Sequence, residues 1–249
     1  MKFKLITYNV WQGRHLDKVI QFLQSEKADI VCLQEVGMRG QGQGAAEVNL
    51  FEEIKQGLGI DGIYRRYFWA DEGQGKYDMG IAIYTGLPVR EIKEFRYERR
   101  ATEEILEAGG KDRYNIPRVL IGQKIGIGGG KLWVFTTHHT ITPHAGVTEH
   151  QLQATKQVKG FLADYDEYIL CGDMNTPYGN ENYELLSQGL ADVSKPTEPT
   201  LHPTIHKVGY KRYHVDYVFI KGKGIKQVST RIPVMDASDH LPVVVELEV

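Results

Sequence analysis

Tyr168-Ile169-Leu170-Cys171-Gly172-Asp173-Met174-Asn175 is a short apolar run that ends on an aspartate and an asparagine. Four apolar residues in a row closed by a glycine read as a strand buried on both faces. A charged or amide side chain at the end of such a strand costs stability unless something pairs with it. The pattern recurs along the chain. Asn9 follows Leu-Ile-Thr-Tyr, Glu35 follows Val-Cys-Leu-Gln, and His138 follows Trp-Val-Phe-Thr-Thr. Ser238-Asp239-His240 precedes Leu-Pro-Val-Val-Val, and Asp216 interrupts Val-Asp-Tyr-Val-Phe-Ile. If these strand ends meet at one edge, carboxylates, amides and histidines gather in one cleft. Oxygen-rich donors of this kind suit hard cations such as Mg²⁺ or Mn²⁺ better than the thiolate or three-histidine chemistry of zinc.

Working outward, period-two and apolar runs predict strands at residues 2–8, 29–34, 63–69, 79–84, 89–95, 118–127, 132–137, 168–172, 215–220, 224–230 and 241–248. Helical spacing appears at residues 15–26, where Leu16, Val19, Ile20 and Leu23 share a face, and again at 47–58 and 181–188. Thr148 and Gln151 have the spacing of a reciprocal capping box, opening a helix to about Ala163. Gly128-Gly129-Gly130 reads as a hairpin turn, and residues 37–44 as a polar glycine-rich loop. Residues 97–116 are charged and irregular, with a short helix expected near 102–107, and form a candidate specificity loop. Strands outnumber helices, and helices do not follow every strand. The expectation is therefore two packed, mostly antiparallel sheets with helices outside, a four-layered αββα sandwich, in one domain over residues 1–249.

Composition leaves the function open but narrows the setting. The chain has 249 residues, 41% hydrophobic and 25% charged, which suits a globular domain that buries a core without disulfides. Its cysteines, Cys32 and Cys171, sit in apolar runs and are expected as reduced core thiols. No apolar run approaches membrane-spanning length, and no leader-like stretch precedes the strand that starts at Lys2. The expectation is a cytoplasmic protein with no membrane insertion, and a monomer. A net charge of −2 gives no global attraction to polyanions, although Arg65-Arg66, Arg99-Arg100 and the run from Lys207 to Arg212 could form a local basic rim.

Six short strings occur in a particular order: Thr7-Tyr8-Asn9-Val10, Leu33-Gln34-Glu35-Val36, Thr137-His138, Gly172-Asp173-Met174-Asn175, Asp216-Tyr217-Val218 and Ser238-Asp239-His240. In that order they resemble the motifs of the endonuclease/exonuclease/phosphatase superfamily, with its deoxyribonuclease I-like fold. The resemblance implies a Mg²⁺- or Mn²⁺-dependent phosphodiesterase. Glu35 would be the principal metal ligand, supported by Asn9 and Asp239. Asp173 would orient and deprotonate the attacking water, with Asn175 holding that water or the phosphoryl oxygens. His138 and His240 would contact the scissile phosphate as charged donors, with Asp216 orienting His240. Arg118 and Asn9 would bind substrate, and Asp78 lies near a further familiar segment. His139 departs from the pattern, since relatives usually carry an apolar residue there. His144, His150, His202, His206 and His214 are read as surface or groove residues.

The resemblance fixes the bond type better than the molecule. A nucleic acid is the first expectation, because Tyr64, Tyr67, Phe68 and Trp69 beside Arg65 and Arg66 offer stacking surfaces unless a half-buried strand consumes them. A lipid headgroup or another small phosphodiester is the alternative. A binding module that has lost catalysis is a third, opposed by the intact set of Glu35, Asp173, Asn175, Asp239 and His240.

Overall fold

Alternation along the strands sorts the apolar residues into three cores. The computed structural model describes residues 1–39, 48–71, 76–97 and 116–249. One sheet runs in the order β13 (Lys226–Arg231), β14 (Val243–Glu248), β1 (Lys2–Asn9), β2 (Ile30–Val36), β6 (Lys76–Thr85) and β5 (Gly62–Asp71). The other runs β11 (Ala191–Asp192), β12 (Asp216–Lys221), β10 (Tyr168–Asp173), β9 (Gly130–His138), β8 (Arg118–Ile127) and β7 (Val89–Tyr97). Two short strands, β3 (Met38–Arg39) and β4 (Val48–Asn49), pair separately. Odd residues of β1 (Phe3, Leu5) meet even residues of β2 (Ile30, Cys32) and the facing residues of the second sheet (Val134, Ile169, Cys171, Val218) in the core between the sheets. The opposite faces are covered by helices. Ile6, Tyr8, Val31 and Leu33 pack under α1 (Leu16–Glu26) and α2 (Leu50–Leu58). Phe135, Leu170 and Phe219 pack under α3 (Glu149–Leu162) and α4 (Glu181–Ser187). The four layers and the mostly antiparallel pairing agree with the sequence-based expectation. Cys32 and Cys171 are buried and unbridged.

Local chemistry explains the boundaries. Helix α2 starts later than its periodicity suggests because Asn49 caps it, its side chain accepting from Glu52 N at 3.2 Å. At α3 only half of the capping box forms. Thr148 accepts from Gln151 N at 3.2 Å, but the Gln151 side chain is buried and donates to the carbonyls of Thr140 and Asn175, both at 3.0 Å. The loop expected at 37–44, the short helix near 102–107 and the pair Arg99-Arg100 lie outside, or largely outside, the described residues. No described helix is long and apolar enough to cross a membrane.

Two strand pairs are parallel, β1 with β2 and β9 with β10, and each is joined through a helix, α1 or α3. Their carboxyl ends therefore fall at one edge of the sandwich. Towards that edge the inter-sheet core turns polar. Gln34 Nε2 donates to Thr7 Oγ1 at 3.2 Å on its own sheet and to Thr136 Oγ1 at 3.1 Å on the other. Just before the edge, Gly172 takes φ +138°, and a Cβ there would lie 2.0 Å from the Thr137 carbonyl oxygen. Only glycine fits, and Asp173 follows it directly. Gly172→Ala is expected to cost roughly 2–5 kcal/mol in urea unfolding, from left-handed strain plus overpacking. A loss below about 1 kcal/mol would show that β9 and β10 can separate to accept the methyl group.

Candidate active site

Strand register delivers the charged side chains to one place. Asp173 ends β10 beside His138, which ends β9, and beside Asp216, which opens β12. Following the alternation Leu5, Thr7, Asn9 and the alternation Ile169, Cys171, Asp173, both polar ends point between the sheets. There Asn9 Nδ2 donates to Asp173 Oδ2 at 3.0 Å and to Glu35 Oε1 at 3.3 Å. Glu35 reaches this point by breaking alternation. It takes a left-handed φ of 56°, and the register of β2 against β6 slips between Gln34 and Val36. Without that bulge its side chain would follow Leu33 into the core under α1 and α2. Ser238 brings in the last pair. Its hydroxyl donates to Asn9 O at 2.7 Å and accepts from His240 N at 3.2 Å, fixing Asp239 and His240 over the end of β1.

The ionisation states follow from this packing. His240 Nδ1 lies 2.9 Å from Asp216 Oδ2, and its Nε2 lies 3.7 Å from Asp173 Oδ2. Burial opposes charge on His240, but the carboxylates of Asp216, Asp173 and Asp239 outweigh it and raise its pKa well above the usual imidazole value. Burial also pushes the Asp216 carboxyl up to about 6, against the pull of His240, so the pair is ionised at neutral pH. Asp173 is fully buried, which alone would raise its pKa. His240, the Asn9 amide and the Asn175 N–H at 2.9 Å overcome that and hold it below the ordinary carboxylate value.

His138 behaves differently from the charged donor expected. Burial, reinforced by the positive charge of Arg118, pushes its pKa down to about 3, so it is neutral. Its Nε2 lies 3.4 Å from the Asp173 carboxylate and its Nδ1 2.9 Å from the Tyr67 hydroxyl. A carboxylate only accepts, so Nε2 carries the proton and the Tyr67 hydroxyl donates to Nδ1. Tyr67 thus lies beside the site histidine, although its sequence context offered only a stacking aromatic or a half-buried strand residue. Phe68 is buried in the inter-sheet core, and Tyr64 is half-buried against Phe51 with its hydroxyl on Asp78 at 3.0 Å. Arg65 pairs with Glu94. This strand therefore presents no stacking surface in Tyr64, Tyr67 or Phe68; the Trp69 side chain lies outside the described part.

The remaining expected residues also converge. Arg118 is 3% exposed, its guanidinium 5.2 Å from the centre of the Tyr67 ring, and its Nε has no hydrogen-bond partner among the described residues. Asn175 takes a left-handed φ of 48°, and its side-chain N–H donates to His139 O at 3.0 Å. His139 is wholly buried beside Thr155 and the Tyr97 ring, and burial pushes its pKa down to about 3. It fills the core behind the site, which explains how a histidine stands where an apolar residue is usual. Of the histidines read as surface or groove residues, His202 and His214 are buried, and His206 stands edge-on to His240 with ring centres 5.6 Å apart.

Carboxylates crowd the cleft. Burial and the charge of Asp239 push the Glu35 carboxyl up to about 7. The donor set around Glu35, Asp239 and Asn9 is rich in oxygen, and a divalent cation there would relieve the repulsion, so these residues fit the hard metal expected. Asn9 would serve it indirectly, since its amide N–H groups face the two carboxylates while its oxygen accepts from Trp11 N at 3.1 Å. Two other groups of donors lie within 4.8 Å of one another, His206 with Asp239 and His240, and Asp173 with Asp216 and His240. Both include His240, whose Nδ1 is engaged with Asp216.

Two six-stranded sheets packed face to face between helices, with carboxylates and histidines gathered at one edge, make up the deoxyribonuclease I-like fold. The chain belongs to the endonuclease/exonuclease/phosphatase family, whose model matches residues 6–240. Its fold is similar to that of a family protein from Leptotrichia buccalis C-1013-b (TM-score 0.76, 20% identity, 99% of this chain and 100% of that one). A family protein from Bacteroides vulgatus is similar over 100% of this chain and 99% of its own, with a TM-score of 0.73 and 20% identity. A protein from Bacteroides thetaiotaomicron VPI-5482 described as a mannosyl-6-phosphatase matches with a TM-score of 0.69 and 18% identity, over 99% of this chain and all of its own. No curated protein matches the chain.

The raised Glu35 pKa makes a sign-definite prediction for the metal-free protein. The unfolded chain ionises this carboxyl near pH 4.3, whereas the fold resists until about 7. Stability is therefore highest below the unfolded value and falls as pH rises through the folded one. In EDTA, Glu35→Gln is expected to be more stable than wild type by roughly 2–3 kcal/mol at pH 8 and equal to it at pH 4, by urea unfolding. Equal stability at both pH values would remove the case for crowding.

Proposed function

We propose that the chain is a Mg²⁺- or Mn²⁺-dependent hydrolase of phosphate diesters, acting as one catalytic domain by in-line attack of water, with nucleic acid as its first substrate class. The observation that carries this reading is the pairing of opposites in one cleft. The charged His240, the Nε2–H of His138 and the buried Arg118 with its unpartnered Nε form an anion-binding side, and the Glu35 and Asp239 carboxylates form a cation-binding side. A metal-bound phosphoryl group satisfies both at once.

Glu35 and Asp239 would hold the metal, whose positive charge offsets that developing on the phosphoryl and leaving oxygens. Asp173 holds the attacking water with the help of Asn175. A carboxylate kept this acidic takes the proton only as the new P–O bond strips it from the water, so Asp173 orients first and accepts second. His240, charged by Asp216, and neutral His138, fixed by Tyr67, donate to phosphoryl oxygens as the old P–O bond breaks. Exposed Lys207, Lys211 and Arg212, with Tyr210 among them, rim the loop that carries His206 and favour an extended polyanion. The competing outcome is a small phosphomonoester such as a sugar phosphate, since the described Bacteroides thetaiotaomicron phosphatase shares the fold.

The test uses end-labelled single- and double-stranded DNA and RNA, bis(p-nitrophenyl) phosphate and a hexose 6-phosphate, each with Mg²⁺ and with EDTA. Hydrolysis of nucleic acid that EDTA removes and Mn²⁺ restores is expected. Asp173→Asn and His240→Ala should each lower kcat by about 10²–10⁴-fold with their thermal transitions nearly unchanged. Turnover limited to the hexose phosphate would move the substrate class, and turnover that survives both substitutions would remove the mechanism.

A further inference from the structure

The loop between β11 and β12 is tied to the strand ends rather than left over solvent. Leu201 bridges to His240, His202 N donates to Asp239 O at 2.9 Å, and Leu241 N donates to Thr200 O at 2.6 Å. His202 anchors it from within. Its Nδ1 accepts from the N–H groups of Thr204 and Ile205 at 3.3 and 3.2 Å, so its Nε2–H donates to Asp236 at 3.0 Å. The loop closes so tightly that a Cβ on Gly209 would lie 1.9 Å from His202 O. Between these anchors stands His206, half-buried, edge-on to His240, with a ring nitrogen within 4.8 Å of donor atoms on Asp239 and His240.

Two roles are open to a histidine in this position, metal ligand or hydrogen-bond donor, and its other nitrogen decides between them. His206 Nδ1 accepts from Val208 N at 3.2 Å. An accepting Nδ1 leaves the ring proton on Nε2, where it can be given to an oxygen but where no lone pair remains for a metal. We propose that His206 is a further substrate-binding residue, donating Nε2–H to a phosphoryl oxygen of the bound ester beside His240. The inference rests on the phosphoester reading above and assigns this loop a direct contact with the reacting group.

The variants separate the two roles by chemistry. Glutamine keeps a donor where Nε2–H stands, glutamate supplies a metal-ligating oxygen and repels phosphate, and alanine removes both. The experiment follows Mg²⁺-dependent hydrolysis of bis(p-nitrophenyl) phosphate and inhibition by inorganic phosphate, with thermal unfolding as the folding control. His206→Ala should lose about 10–100-fold in kcat/KM and weaken phosphate inhibition in step. His206→Gln should recover to within a few-fold of wild type, and His206→Glu should fall below alanine. Should alanine destabilise the loop, the glutamine and glutamate pair still decides the matter. Alanine within twofold of wild type, or glutamate outperforming glutamine, overturns the assignment. A wild-type protein that binds phosphate through His206 but hydrolyses neither diester nor monoester sinks the proposed function and leaves this contact standing. Loss of both phosphate binding and hydrolysis in the wild type sinks the two together.

Discussion

The Asn9 side chain donates to Glu35 on its own sheet and to Asp173 on the facing one, at 3.3 and 3.0 Å, and so ties two sheet ends together where like charges would push them apart. Much of the edge depends on this tie. Asn9 O accepts the Ser238 hydroxyl, which in turn receives His240 N, and Asp173 reaches both histidines. Below lies the Gln34 amide, which repeats the same cross-sheet bridge with the hydroxyls of Thr7 and Thr136. The apolar core thus gives way to amide and hydroxyl groups one layer before the carboxylates, and an amide donor bridges the two sheets in each layer, Gln34 to Thr136 and Asn9 to Asp173.

Topology explains why these residues and no others stand there. A parallel strand pair needs a crossover, here α1 or α3, and the crossover leaves both carboxyl ends facing one way. Both sheets contain one such pair at their centre, so four strands end at one edge and contribute Asn9, Glu35, His138 and Asp173. The antiparallel neighbours complete the set from their starts, with Asp216 opening β12 and Asp239 and His240 leading into β14. Electrostatics then divides the labour: carboxylates that repel one another on one side, and a charged histidine, a neutral histidine and an arginine on the other.

Most of this was legible in the sequence because each of these polar residues closes or opens an apolar run, a pattern that survives without any knowledge of neighbours. The sandwich was legible for the same reason, through period-two alternation. What escaped depends on contacts between distant residues. Tyr67 and His138 are 71 positions apart, and nothing local marks the phenol as the partner of that imidazole. The expectation that His138 is charged failed because Arg118 and burial act on it only in the folded chain. The burial of His202 and His214 was likewise hidden, since a histidine in a polar stretch reads as a surface or groove residue. The bulge at Glu35 could not be seen either, because it consists in a register slip against β6. Gln151 looked like half of a capping box, and its turn inward shows a tertiary demand overriding a local motif.

The division of the site between two sheets has a consequence for how the chain assembles. Each parallel pair with its helix is a nearly contiguous stretch, residues 2–36 and 130–173. Neither stretch alone holds the cleft, since Asn9 and Glu35 belong to one and His138 and Asp173 to the other. Any ion or ester that needs both halves therefore stabilises only the chain in which the sheets have docked. Binding that needs both sheets in place should slow unfolding far more than it speeds folding, so that occupancy acts as a lock on the docked sandwich.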